Sequence, residues 1–309
     1  MKLISIVTPC YNEEENVEEL YLRIRSIMAE LPEYSYEHLY IDNASTDGTQ
    51  EILRRIAAAD KRVKVILNAR NFGHIRSPFH GLMQASGDAA MYMASDFQDP
   101  PEMIPQFIEK WEQGFKAVVG VKNQSEETPL FFFVRRCYYR LVHRLADTPI
   151  IENFTGFGLY DKAILDACRQ IRDPYPYFRG LISEIGLPTV TIPFVQPNRK
   201  RGLTKNNFYT LYDMAMLGFT SHSKVPLRLA TMLGFTVSFF SFLVGLVYLL
   251  YKLLFWNQFS VGVAPLVIGL FFFGSVQLFF IGILGEYIGS IHTQVLDRPL
   301  VVEKERINF

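Results

Sequence analysis

The chain has 309 residues, and its 31 Lys and Arg balance its 31 Asp and Glu, so the formal net charge is zero. Charge neutrality excludes a protein that binds nucleic acid through bulk positive charge, and we expect no nucleic-acid partner. With 20% charged and 14% aromatic residues, the composition also excludes a disordered chain.

The first 122 residues alternate short apolar runs with segments of helical spacing. The predicted strands cover residues 3–8, 39–41, 63–67, 89–94 and 117–121. The predicted helices cover residues 14–31, a segment after Asp47 that contains Ile52, Leu53 and Ile56, and residues 102–111. Such alternation predicts an α/β fold with a mostly parallel sheet covered by helices.

Polar side chains follow three of these strands. They are Tyr11, Asn12 and Glu13 after the first strand, Asp42 and Asn43 after the second, and Asp96, Gln98 and Asp99 after the fourth. Because ligands of such sheets bind outside the carboxyl ends of the strands, these groups predict one convergent site. Asp96 and Gln98 offer the oxygen ligands that Mg²⁺ or Mn²⁺ prefers beside a phosphate.

Several common site motifs are missing. The sequence contains no GxGxxG, GxxxxGK[ST], HExxH or GxSxG pattern, so the usual dinucleotide, ATP and hydrolase interpretations lose their best support. The three cysteines are widely separated and indicate neither a disulfide framework nor a zinc site.

A basic stretch runs from residue 198 to residue 228, where Asp213 is the only acidic residue. Its members Arg199, Arg201 and Lys205 are suited to hold phosphate charge, and a patch facing an anionic membrane is the compatible alternative. Within this stretch, residues 207–221 place apolar side chains at helical spacing. This spacing predicts an interfacial amphipathic helix, with an ordinary helix packed on the sheet as the alternative.

Two long uncharged segments, at residues 229–251 and 261–285, predict membrane spans, because about 20 apolar residues cross a bilayer core. They account for a mean hydropathy of +0.11, which is high for a soluble enzyme. Basic residues flank the pair on its outer sides, which predicts that the catalytic portion and both termini are cytoplasmic. The predicted organisation is a domain at 1–205, an interfacial helix at 206–227, a hairpin at 228–290 and a tail at 291–309.

The segments VTPCYNEEENV, IDNASTDGT, SDFQDPPEMIP, TGFGLYD and RKRGLTK, in this order, resemble glycosyltransferase family 2. The resemblance covers essentially the whole chain. It is to the polyprenyl-phosphate subgroup, which is dolichyl-phosphate mannose synthase-like, and within it to the bactoprenyl glucosyltransferase (GtrB) type with two spans. The resemblance implies a GT-A fold, a nucleotide-diphospho-sugar donor, a divalent metal, inverting transfer and a place in the bacterial inner membrane.

The resemblance also implies roles for individual residues. Those around the donor are Pro9, Tyr11, Asn12, Glu13 and Asp42 at the nucleoside, and Arg201 and Lys205 at the pyrophosphate, next to Arg199 of the basic stretch. The metal ligands are Asp96 and Gln98, and the acceptor phosphate falls near Arg135 or Arg136. Two positions depart from the family pattern: Asn43 replaces the second Asp of a pair, and Ala94 replaces the first Asp of DxDxQ. TGFGLYD also lacks the acidic and Arg positions of some relatives.

The predicted activity is metal-dependent transfer of glucose from UDP-glucose to polyprenyl (undecaprenyl or bactoprenyl) phosphate, a step of cell-envelope glycosylation. No general base is expected, because a phosphate monoester with a second pKa of about 6 is already largely dianionic. Glycines in the second span permit close helix packing, so we expect a homo-oligomer, for which a tetramer is one arrangement.

Three alternatives stay open. One is transfer of another sugar, such as mannose or an aminosugar, to the same lipid. A processive polysaccharide synthase is the second, although the chain has few spans for a channel and no QxxRW motif. The third is a non-enzymatic membrane scaffold or nucleotide-sugar-binding regulator, which Asn43 and Ala94 favour.

Overall fold

The computed structural model describes residues 1–122, 151, 153–171, 173–197, 225–255 and 263–309. Its centre is one sheet whose strands are β1 (Lys2–Cys10), β2 (Tyr34–Asp42), β3 (Val63–Asn68), β4 (Ala89–Tyr92), β5 (Ala117–Lys122), β6 (Phe154–Asp161), β7 (Thr189–Phe194) and β8 (Glu303–Ile307). The strand order is β7-β5-β6-β4-β1-β2-β3-β8. Strands β4, β1, β2 and β3 run parallel to one another, as do β5 and β7, which confirms the mostly parallel α/β prediction.

Six helices of the described chain cover this sheet. They are α1 (Val17–Ala29), α2 (Thr49–Ala59), α3 (Gly73–Met83), α4 (Ile104–Glu112), α5 (Lys162–Gln170) and α6 (Phe178–Ile185). Side chains of β1 alternate between the two faces, so Ile4 and Ile6 pack with α1 and α4 while Val7 packs with α3, α5 and α6. The sheet therefore has a hydrophobic core on each face.

Strand β2 begins five residues before the predicted start at residue 39. The prediction started too late because two ionisable side chains are buried in the strand. Glu37 is 4% exposed and is bound by Lys64, Ser5 and Ser86. His38 is fully buried, and burial lowers its pKa to about 3, so it is neutral at physiological pH. Polar residues in this setting conceal the strand from hydrophobic periodicity.

Two further helices, α7 (Val225–Leu254) and α8 (Val263–Val295), are long and apolar enough to cross a membrane. Their most apolar windows, Ala230–Val247 and Phe272–Val295, have mean hydropathies of 2.0 and 1.4. Most of their described large apolar side chains are exposed. The interfacial helix predicted at residues 206–227 lies outside the described residues, except for its last three residues, which begin α7.

Strand β8 is an element that the sequence patterns do not predict. It is the next element after α8 and pairs antiparallel with β3, with Val65 opposite Ile307 and Leu67 opposite Glu305. Side chains reinforce the pairing. Oε2 of Glu305 accepts a hydrogen bond from Nη2 of Arg54 at 2.8 Å, and Oε1 of Glu303 lies 2.5 Å from Nε2 of His80 on α3. The segment that leaves the second long helix is thus an edge strand of the sheet.

We expect Glu303→Gln to loosen β8, because Glu303 binds both Arg306 and His80. Arg306 first, and then His80, lowers the pKa of Glu303 below its ordinary value. The stabilisation is therefore fully present above about pH 4.3 and is lost as the pH falls through the lowered folded-state pKa. Faster amide exchange in residues 303–307 of the variant at pH 7, with the difference vanishing in acid, is the expected result.

The matched control for this prediction is Lys304→Gln on the same strand, since the Lys304 side chain is exposed and its replacement also changes one charge. This control should keep the exchange rates of the wild-type protein. Equal protection of β8 in the wild-type and Glu303→Gln proteins at pH 7 would contradict the assigned role.

Candidate functional site

The predicted site residues that the structure describes lie at one edge of the sheet. β4, β1 and β2 are adjacent and parallel, so their carboxyl ends lie side by side. Pro9 is the ninth residue of the chain and the last but one of β1, Asp42 ends β2, and Asp96 follows β4 within the next turn. Topology alone thus brings together three segments that are far apart in sequence.

The loop after β1 is fixed to the loop after β2. Asn12 has a φ of +57°, a backbone conformation that asparagine tolerates better than most residues. Its side-chain oxygen accepts the N–H of Thr46 at 2.8 Å, and its own N–H donates to Ser45 at 2.8 Å. The N–H of Glu13 donates to Thr49 at 2.9 Å. Tyr11, Asn12 and Glu13 therefore lie on a loop that is held against the end of β2.

Asp42 is fully buried and has one carboxylate oxygen without a partner. Its Oδ2 accepts the N–H of Ser45 at 3.0 Å and Nε2 of Gln50 at 2.8 Å. Its Oδ1 is buried and has no hydrogen-bond partner in the described part of the chain. Burial raises the pKa of Asp42, and an unsatisfied buried acceptor is costly. The oxygen is therefore suited to accept a hydrogen bond from a ligand.

Asn43, which replaces an acidic residue of the family pattern, uses all of its hydrogen-bonding capacity. Its Nδ2 donates to Oδ1 of Asn71 at 2.9 Å and to the carbonyl of Gly73 at 3.1 Å. Its Oδ1 accepts Nδ2 of Asn68 at 3.2 Å and the N–H of Phe72 at 2.9 Å. These bonds hold the turn that begins α3, where Gly73 has a φ of +86°. A carboxylate has no N–H to supply the first two bonds.

We therefore expect Asn43→Asp, which would restore the family's residue, to destabilise this protein by about 1–3 kcal/mol. The new carboxylate would face the two acceptor oxygens of Asn71 and Gly73. The change should appear as a lower midpoint in denaturant unfolding followed by near-ultraviolet circular dichroism. Gln106→Glu, the same chemical change on the exposed face of α4, should move the midpoint little. Equal stability of the Asn43→Asp and wild-type proteins would contradict the network.

The turn after β4 places two buried carboxylates close together. Asp96 and Asp99 are 5% and 4% exposed. Oδ1 of Asp96 accepts the N–H of Gln98 at 3.1 Å, and Phe97 between them has a φ of +59°. Oδ2 of Asp99 accepts the N–H of Ala94 at 2.9 Å, which closes the turn. Burial, and then the charge of Asp96, raises the pKa of Asp99 to about 7.

The oxygen atoms of this turn fit a hard divalent cation. Asp96 supplies a carboxylate and Gln98 an amide oxygen, which are ligand types that Mg²⁺ and Mn²⁺ accept. Across the described residues, no group of three or more His, Cys, Asp and Glu side chains is arranged to hold a metal. A cation bound here would therefore complete its coordination with water and phosphate oxygens, as expected with Ala94 in place of an aspartate.

The structure shows why glycine occupies two positions of TGFGLYD. A Cβ at Gly158 would lie 2.6 Å from the carbonyl oxygen of Val118 and 2.9 Å from the hydroxyl of Tyr160. That hydroxyl donates to the carbonyl of Gly156 at 2.6 Å, so it is held in place. Gly156 has a φ of +106°, which strains any other residue.

Five predicted basic residues lie outside the described residues: Arg135, Arg136, Arg199, Arg201 and Lys205. Two residues that sequence reasoning did not select, His74 at the start of α3 and Arg179 in the first turn of α6, line a cavity beside Gln98. They come from segments about 100 residues apart and form no motif, so no signal in the sequence identifies them.

The comparisons with known proteins agree with this architecture. A family described as glycosyl transferase family 2 matches residues 5–169, and one described as GtrB C-terminal hairpin matches residues 225–291. The chain is 35% identical to "Uncharacterized glycosyltransferase YkcC" of Bacillus subtilis, over 96% of this chain and 92% of that protein. It is 34% identical to the SfII prophage-derived bactoprenol glucosyl transferase of Shigella flexneri, over 98% and 97% of the two chains.

Similarity to solved structures is lower. Glucosyl-3-phosphoglycerate synthase from Mycobacterium tuberculosis, solved with Mn²⁺, UDP and phosphoglyceric acid, aligns with a TM-score of 0.48 at 19% identity. The alignment covers 71% of this chain and 76% of that one.

Proposed function

Because the chain belongs to glycosyltransferase family 2 and carries a GtrB-type hairpin, we propose that it transfers glucose from UDP-glucose to polyprenyl phosphate. The observation that carries the proposal is the combination of an acidic site at the edge of the sheet with two membrane-length helices that follow it. Relatives at 34% identity over nearly the whole chain are bactoprenol glucosyl transferases, which supports both the sugar and the lipid.

The donor nucleoside is proposed to bind between the loops after β1 and β2. Pro9, Tyr11, Asn12 and Glu13 would surround it, and the unpartnered Oδ1 of Asp42 would accept a hydrogen bond from the base or ribose. The base offers N–H donors and the ribose offers O–H donors. Because Asp42 is fully buried, a direct hydrogen bond from either group would contribute to the binding free energy.

The proposed reaction exchanges one bond to the sugar. An oxygen of the acceptor phosphate dianion attacks C1 of glucose, and the bond from C1 to the β-phosphate oxygen of UDP breaks with its electron pair leaving on UDP. The total charge of −4 is the same on both sides: a dianionic acceptor and a dianionic donor give a lipid phosphodiester and trianionic UDP. The configuration at C1 inverts. No proton is removed from the acceptor, so no general base is needed.

Asp96 and Gln98 are proposed to hold Mg²⁺ or Mn²⁺. When bound, such an ion offsets the negative charge that develops on the departing diphosphate. The protein's own contribution is to fix both ligands on the short turn that Asp99 closes through the N–H of Ala94. Positioning and electrostatics are therefore the main catalytic resources of the site.

The basic residues outside the described part of the chain keep their predicted roles in this proposal. Arg199, Arg201 and Lys205 would clamp the donor pyrophosphate, and Arg135 or Arg136 would hold the acceptor phosphate. Two anionic groups have to lie close together before transfer, and cations on both sides reduce their repulsion.

The membrane arrangement is also part of the proposal. With α7 and α8 spanning the inner membrane and basic residues flanking them on one side, the catalytic domain and both termini would be cytoplasmic. A lipid phosphate that stays in the bilayer would then be met at the headgroup plane. A homo-oligomer formed through the hairpins remains a prediction.

The test is a donor panel. Membranes that contain the protein are incubated with labelled UDP-glucose, UDP-N-acetylglucosamine or GDP-mannose, and lipids are extracted into chloroform. Label from UDP-glucose alone in a mild-acid-labile lipid is the expected result. Labelled lipid from another donor would show that the transferred sugar is not glucose. Labelled polymer would favour a processive synthase. Absence of product from every donor would favour a non-enzymatic role.

A further inference from the structure

A cavity of about 380 Å³ opens beside the proposed metal ligand Gln98. Its walls come from α3, the end of β4, the start of β6 and the start of α6. This volume falls in the range of about 300–1,000 Å³ that is typical of small-ligand pockets. Gln98 connects the cavity to the site already described, so whatever binds there lies next to the reacting centre.

The cavity is lined by both apolar and polar residues. The apolar ones come mainly from α3 and α6 and are Ile75, Pro78, Phe79, Leu82 and Phe178. The polar ones are Gln98, Thr155, His74 and Arg179. The apolar share is large for a glucose ring, whose hydroxyl groups need hydrogen-bond partners. An amphiphile with a charged head and a hydrocarbon chain can use both kinds of lining.

Among the described residues that line this cavity, Arg179 carries the positive charge. Its Nη1 donates to the carbonyl of Phe154 at 3.2 Å, and its guanidinium lies 5.1 Å from the ring centroid of Tyr177. These contacts orient the group, and neither of them brings an Asp or Glu carboxylate against it in the described part of the chain. A guanidinium has five N–H donors, and its planar fork matches phosphate oxygens.

We propose that the cavity receives the phosphate and the first isoprene units of the lipid acceptor, with Arg179 bound to a phosphate oxygen. The inference rests on the proposed function and assigns a second acceptor contact besides Arg135 or Arg136. The apolar wall of α3 packs against the isoprene chain, which contributes about 0.8 kcal/mol per buried methylene group. Arg179 offsets the charge of the dianion beside the donor pyrophosphate.

The backbone of β6 keeps room for this ligand. Gly156 lines the cavity with a φ of +106°, and a Cβ there would project to 3.5 Å from the Tyr92 ring. A side chain at position 156 would therefore stand against Tyr92, another residue that lines the cavity.

The first test is Arg179→Gln in the full-length protein. We expect the KM for polyprenyl phosphate to rise about 10- to 100-fold, as for the loss of a charged hydrogen bond, with the KM for UDP-glucose and the affinity for UDP unchanged. Unchanged UDP affinity also shows that the variant is folded. Arg55→Gln, on the exposed face of α2, is the matched control and should leave every constant unchanged.

A second variant examines the apolar wall. Ile75→Ser should raise the KM for polyprenyl phosphate while changing the KM for a short saturated alkyl phosphate less, because it removes contacts with the chain and not with the phosphate. Arg179→Gln should raise both by a similar factor. The two variants thus separate recognition of the head from recognition of the chain.

The proposal is overturned if Arg179→Gln raises the KM for UDP-glucose instead, since the cavity would then hold the donor sugar, or if neither KM changes. Failure of the proposed function would look different: the wild-type protein would form no lipid product. In that case calorimetric titration with farnesyl phosphate still decides the matter. Binding to the wild-type protein that weakens at least tenfold in Arg179→Gln supports the cavity assignment, and equal or undetectable binding contradicts it.

Discussion

Replacing Asp96 with asparagine is expected to lower kcat for lipid glucosylation by about two to three orders of magnitude while the protein stays folded. The proposed cation contributes several kcal/mol to stabilisation of the leaving diphosphate, and each 1.4 kcal/mol is about a factor of ten in rate. Asp96 is the one carboxylate left from the DxDxQ motif, since Ala94 occupies the other position. The other acid of the described turn, Asp99, is held by the N–H of Ala94, which donates to its Oδ2.

The measurement for Asp96→Asn is steady-state release of UDP, with a metal titration alongside. Asp166→Asn, a similar change on the exposed surface of α5, is the control and should retain the wild-type rate. A near-normal kcat in Asp96→Asn, or an unchanged response to Mg²⁺ and Mn²⁺, would remove Asp96 from the metal site. Thermal unfolding of the variant close to that of the wild-type protein would show that lost activity is not lost structure.

Replacing Asp42 with alanine is expected to weaken UDP binding about 10- to 100-fold, the loss that corresponds to a hydrogen bond with a charged group. The carboxylate is fully buried and its Oδ1 has no partner among the described residues, so a ligand donor would gain a strong bond there. Because the nucleoside is bound equally in the ground and transition states, kcat at saturating donor should change little.

Calorimetric titration with UDP measures this effect directly. Asp42→Asn is the matched comparison, because it keeps an acceptor for Ser45 and Gln50 while it removes the charge. We expect its UDP affinity to lie between those of the alanine variant and the wild-type protein. Full affinity in Asp42→Ala would show that the nucleoside lies elsewhere, and a drop in kcat alone would assign Asp42 to the chemical step.

The edge of the sheet that carries the candidate site was predictable because it depends on regular patterns. Apolar runs located β1, β3 and β4, and the polar residues after them fell at the carboxyl ends of parallel strands. Asp42 and Asp96 therefore lie at the same edge of the sheet, as the strand pattern predicts. Uncharged length in the same way located both long helices, although α8 extends ten residues past the predicted end of the second span, at residue 285.

Other features depend on contacts that no local pattern records. Strand β8 has the sequence EKERI, in which hydrophobic periodicity does not reveal a strand. Its glutamates Glu305 and Glu303 contact Arg54 and His80, which come from helices far away in the sequence. The saturated hydrogen bonds of Asn43 make a departure from the family pattern into a structural requirement of this chain. The cavity around Arg179 likewise exists only after α3, β6 and α6 have packed together.

The most direct test of glucosyl transfer to a lipid phosphate is to identify both products of one reaction. Purified protein in detergent is mixed with UDP-glucose and undecaprenyl phosphate. The nucleotide product is identified by chromatography, and the mass of the lipid product is measured by mass spectrometry. We predict equal amounts of UDP and of a lipid that carries one phosphate and one hexose. Release of UMP together with a lipid that carries two phosphates and one hexose would contradict glucosyl transfer. The protein would then transfer a sugar phosphate and not the sugar alone.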